Sequence, residues 1–130
     1  IDGAWEGRIL EEPLSIIVED GLVVEVSGGE IADEISSVFD VARLGLRSSK
    51  RDRVWTVAEF GFGMNPKATE LVGNKVEDLV VRGSSYFGFG DNTHIGGNAR
   101  VGIHLRGSLV DPEVSLDGSV IVSGGKISTR

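Results

Sequence analysis

A chain of 130 residues and 13.8 kDa has the size of a single domain, and surface scaling folds it to about 6,600 Å² of accessible area. Twenty acidic against thirteen basic residues leave a net charge of −7, a surface that repels phosphate backbones and anionic lipid and so excludes general nucleic-acid and membrane-surface binding. With no cysteine there is no disulfide, thiolate nucleophile or cysteine-held zinc; no apolar run nears the roughly 20 residues that span a bilayer, and a cytoplasmic protein is expected.

The chain opens at Ile1 without a methionine, in what reads as the body of a β segment, and is expected to be an excised domain. Gly3–Leu10 reads as a strand. Leu14, Ile16 and Val18 alternate, as do Leu22, Val24 and Val26; Glu19-Asp20-Gly21 between them makes a hairpin turn. Ser27 and Glu30 stand at capping-box spacing. Ile31, Ile35, Val38, Phe39 and Ala42 then mark one face of the single long helix, which stops at Gly45. After a basic loop over Ser48–Arg53, a strand is expected from Val54 to Phe62. Asn65-Pro66 then starts a short helical turn ended by Gly73-Asn74. Val80–Phe89 and Ala99–Val110 read as two more strands, and Val114–Leu116, Asp117-Gly118 and Val120–Val122 as a closing hairpin. The fold expected is α+β, mainly antiparallel sheet with one substantial helix.

Phe60-Gly61-Phe62-Gly63 recurs as Phe87-Gly88-Phe89-Gly90. Strand alternation points Phe60 and Phe62 toward the core and puts Glu59 on one face with Gly61 and Gly63. Tyr86 likewise shares a face with Gly88 and Gly90. Two such strands side by side leave space next to Glu59 and Tyr86, although the same glycines would also let sheets cross closely or bend. Neither copy opens a helix within a βαβ unit, so the Gly-x-Gly pairs are not nucleotide loops. His94, in the loop Asp91-Asn92-Thr93-His94, and His104 are the only histidines. Their spacing is not that of a helical zinc pair; His104 shares its strand face with Gly102 and Arg106.

The segments Ala58–Pro66 and Gly83–Asn92, with Gly96-Gly97, His104-Leu105 and the Asp117-Gly118 hairpin, resemble the C-terminal domain of the aminopeptidase T family of metallo-aminopeptidases. The resemblance implies a hydrolase of leucyl-aminopeptidase type with metal ligands at Glu59 and His104. It also shows departures: Arg106 stands where the family has the aspartate of a His-Leu-Asp motif, and Tyr86 where it has the histidine of Gly-Thr-x-His. Asp78-Leu79-Val80 replaces an Asp-Glu-Lys, and a further ligand glutamate would precede Ile1. The metal site is therefore expected to be incomplete, holding a divalent zinc, cobalt or manganese if it survives and no cofactor otherwise. Arg106 is expected to pair with Glu59, with Asp91 or His94 recruited to help any remaining metal.

No catalytic residue is assigned on this reading, and Tyr86, Arg106 and Asp91 line a pocket for a peptide end or amino acid. The partners it implies are a missing N-terminal domain of the same chain and another copy of the chain. The alternative is a non-catalytic binding or oligomerisation module that keeps the fold.

Overall fold

The computed structural model describes residues 1–128. Ten strands and one long helix follow in the order β1 (Ala4–Trp5), β2 (Arg8–Ile9), β3 (Ser15–Glu19), β4 (Leu22–Ser27), α1 (Gly29–Leu44), β5 (Val57–Phe62), β6 (Ser85–Gly90), β7 (His104–Leu109), β8 (Val114–Leu116), β9 (Ser119–Ser123) and β10 (Lys126–Ile127). Every strand pairing is antiparallel, and the architecture is α+β with one substantial helix, as the periodicity indicates. The five-stranded sheet runs β2-β1-β7-β6-β5; β3 and β4 form a hairpin, and β8, β9 and β10 a small third sheet.

Both Asp-Gly turns form where the sequence puts them. Asp20 and Gly21 have φ of 50° and 78°, and Asp117 and Gly118 have 50° and 79°, the left-handed pair that a two-residue hairpin turn demands. The stretch Gly3–Leu10 is not one strand, because Glu6 and Gly7 adopt the same pair of conformations, at 48° and 81°, and fold it into the β1–β2 hairpin. Gly28, φ 110°, stands at the N-cap of helix α1 and offers no side-chain cap. Ser27 is committed to pairing with Ser15 at the end of β4, so the capping box does not form. Asn65 also does not start a helical turn: its Oδ1 accepts from Lys67 N at 3.0 Å, closing a local turn. Asn74 likewise starts a turn rather than ending one, its Oδ1 accepting from Val76 N and Glu77 N.

Ile31, Ile35 and Phe39 of α1 are buried against β4 and the 3-10 turns of 48–55, and Phe39 stacks on Trp55 at 4.3 Å. The core continues onto one face of the main sheet through Trp5, Phe87, Phe89 and Leu105. Phe60 and Phe62 were expected inside; instead β5 is the sheet's edge, Phe60 is 40% exposed, and the two rings cluster with Phe87 at the margin. The accessible surface is 8065 Å², above the scaling figure, and large apolar side chains such as Leu44, Met64 and Val41 stay open. No helix among the described residues is long and apolar enough to cross a membrane.

Candidate metal centre

The opposite face of the main sheet carries the polar residues, and a bulge decides which ones. Val57 pairs with Phe89, but Glu59 pairs with Gly88, one residue off the regular count. If β5 paired regularly onward from Val57, Ala58 would face Gly88 and Glu59 would stand opposite Phe87, turned toward the core. The bulge re-aims it to the polar face. There β6 offers Tyr86, Gly88 and Gly90, and β7 offers His104, Arg106 and Ser108.

Glu59 on β5 and His104 on β7 are separated by a whole strand, and Gly88 on β6 makes the crossing open. A Cβ at Gly88 would lie 2.5 Å from Glu59 Cγ and 2.9 Å from both Glu59 Oε1 and His104 Cε1. Through that gap Glu59 Oε1 reaches His104 Nε2 at 3.0 Å and accepts a hydrogen bond from Arg106 Nε. Glu59 Oε2 lies 3.4 Å from His94 Nε2. The other strand glycines serve the same sheet geometry. The Tyr86 ring lies where a Cβ of Gly61 would be, and the Val81 and Ile103 carbonyls crowd Gly63 and Gly90.

A loop holds the histidines. Asp91 Oδ1 accepts from Thr93 N (3.0 Å) and Thr93 Oγ1 (2.5 Å), while Oδ2 accepts from Val101 N (2.8 Å) and Gly102 N (3.1 Å). These bonds, Thr93 first, hold its carboxyl well below the usual carboxylate range. The Asp91 carboxylate therefore ties the loop and does not line a pocket. Its backbone carbonyl faces His104 Nδ1 at 2.7 Å. A carbonyl only accepts, so Nδ1 carries the proton, and in the neutral ring Nε2 is a lone pair aimed at Glu59. The His94 and His104 rings meet edge to face at 4.8 Å.

Ligand atoms from Glu59, His94 and His104 all lie within 4.8 Å of one another. An imidazole lone pair and a carboxylate oxygen at 3.0 Å repel unless a cation lies between them, either a proton or a metal ion. Burial would raise the Glu59 carboxyl; hydrogen bonds with Arg106 and His104, the Arg106 charge and His94 outweigh it and hold it at about 2. Two imidazoles and one carboxylate, with His104 oriented from behind, are a donor set that suits a divalent transition metal. Arg106 bonds Oε1 and leaves Oε2 toward His94. Of the residues singled out from sequence, Glu59 touches both His104 and Arg106, and Tyr86 lies alongside over Gly61. His94 is the member that strand periodicity could not place, since a loop delivers it.

The family model of NicX, 2,5-dihydroxypyridine 5,6-dioxygenase, matches residues 6–129. The chain belongs to the NicX family. A solved structure of 2,5-dihydroxypyridine dioxygenase from Pseudomonas putida KT2440 has the same fold, with a TM-score of 0.76 at 20% identity over 95% of this chain. The chain spans 36% of the length of that structure. No curated protein matches it.

Membership in NicX overturns the aminopeptidase T resemblance, and with it the leucyl-aminopeptidase, hydrolase and metallopeptidase functions; nor does it favour a non-catalytic module. The physical reason lies in the motifs that carried the resemblance. Their glycines record where a ring, a carboxylate or a carbonyl must pass across a sheet, and that is a property of the scaffold and not of a reaction.

Proposed function

We propose that this chain supplies the metal-holding sheet of a dioxygenase that opens a hydroxylated pyridine ring. The reading is carried by the convergence of His94, His104 and Glu59 within 4.8 Å on a chain of the NicX family. Two histidines and one carboxylate with open positions are the donor set of non-haem iron(II) oxygenases. Iron(II), when bound, would supply the one-electron steps through which triplet dioxygen reacts with a closed-shell aromatic.

The chain's own residues have separable tasks. His94 and His104 would donate through Nε2, and the Asp91 carbonyl keeps the His104 proton on Nδ1. Glu59 would donate through Oε2 while Arg106 holds Oε1. Tyr86, over Gly61, walls the polar face next to the three donors. Among divalent metals, iron(II) is favoured over zinc, cobalt or manganese by this donor set on a chain of the NicX family.

The test uses the full-length protein loaded anaerobically with iron(II), then mixed with 2,5-dihydroxypyridine and air-saturated buffer. Oxygen uptake with loss of the ring absorbance is expected. His104→Ala and Glu59→Ala are each expected to lose bound iron and at least 100-fold in rate, as an order-of-magnitude estimate for a ligand's loss. Iron retained equally by all three proteins would refute the assignment of these ligands.

A further inference from the structure

We propose that Arg106 makes metal binding at Glu59, His94 and His104 depend on an anionic oxygen ligand, so that metal and oxyanion bind well together and weakly apart. This deepens the dioxygenase reading and rests on its three donors.

Charge is the first ground. Glu59 is the one carboxylate among the donors, and Arg106 already neutralises it through Nε. Guanidinium keeps its proton under all ordinary conditions, so Arg106 cannot relieve the site by ionising. The Glu59–Arg106 pair is neutral, and Glu6, whose carboxylate accepts from Arg106 N, offsets only one of the two charges of a dication placed there, where the Glu59 side chain is 11% exposed.

Geometry is the second ground. The one hydrogen bond that the Arg106 side chain makes to another described residue runs from Nε to Glu59. Its side chain is 35% exposed, and its Nη nitrogens donate no hydrogen bond to another described residue. An oxyanion such as an ionised aromatic hydroxyl can satisfy the metal and the guanidinium fork at once. The two ligands are then linked, and each raises the affinity of the other by the same factor.

Zinc(II) serves as a redox-silent probe, titrated into the full-length protein by calorimetry, with and without 2,5-dihydroxypyridine under anaerobic conditions. Arg106→Met keeps the side chain's length and Arg106→Gln keeps a hydrogen bond to Glu59 without charge; circular dichroism confirms that each is folded. Both are expected to bind zinc alone at least tenfold more tightly than the wild type. The pyridine should tighten zinc binding at least tenfold in the wild type and less than threefold in either variant. Equal or weaker zinc binding by both variants, with Glu59→Ala abolishing it, would overturn the role of Arg106 while leaving the donor set intact. Zinc binding untouched by Glu59→Ala would instead overturn the donor set and this inference together.

Discussion

Replacing Gly88 with alanine should separate the site from the fold. The new Cβ would sit 2.5 Å from Glu59 Cγ and 2.9 Å from His104 Cε1, where carbon atoms pack at about 3.5–4.0 Å. One of the two must retreat by about 1 Å. His104 is tied through Nδ1 to the Asp91 carbonyl, so Glu59 moves, and its contacts with His104 and Arg106 open. Overpacking of this kind costs about 1–3 kcal/mol. Gly88 does not have a positive φ, so alanine recovers about 0.4–1 kcal/mol by restricting the unfolded chain. The net loss is at most about 2–2.5 kcal/mol, a fall in Tm of no more than roughly 10 °C for a chain of this size. Zinc affinity, by contrast, should fall at least about tenfold, because the carboxylate no longer reaches the histidines. Thermal denaturation and a zinc titration on the same preparation read both quantities. An alanine variant that holds zinc as tightly as the wild type would show that Glu59 does not need the gap over β6, and the reasoning fails.

Two further outcomes follow from the loop and from the carboxylate. Asp91→Ala removes the acceptor for Thr93, Val101 and Gly102; a loss of about 1–3 kcal/mol in urea unfolding is expected, with weaker metal retention because the loop that carries His94 and the Asp91 carbonyl behind His104 loosens, and unchanged retention would contradict that role. The Glu59 carboxyl sits at about 2 against an ordinary 4.5, so its stabilisation is complete above pH 4.5 and fades as pH falls toward 2. After solvent screening this is worth about 1–2 kcal/mol. The stability gap between wild type and Glu59→Gln should therefore shrink between pH 7 and pH 3, and a constant gap would assign the effect to packing instead.

Much of the scaffold is legible in sequence because it is set by local physics. Asp20-Gly21 and Asp117-Gly118 need only two residues with positive φ, and the apolar face of α1 needs only a 3.6-residue period. Part of the site is legible too: alternation puts Glu59 opposite its flanking phenylalanines, and the glycines beside it announce space. Other features depend on partners distant in sequence. Ser27 looks like a cap until Ser15 pairs with it. Asp91 looks like a pocket acid until Val101 and Gly102 fold back on it. His94 meets Glu59 across 35 residues, and no periodicity within either segment encodes that meeting. The resemblance to aminopeptidase T fails for a related reason, since glycines shaped by a sheet say little about what the sheet carries.

The extra residue at Ala58 has a consequence for how the protein is made. It fixes the parity of β5 against β6, and Glu59 meets His104 across 45 residues. A slip of one residue in that pairing would leave most of the hydrogen-bond ladder intact while turning Glu59 away from both histidines. A metal held by Glu59, His94 and His104 would therefore require the bulged register and no other. One inserted residue thus ties the alignment of two strands to the assembly of three donor side chains that lie far apart in the chain.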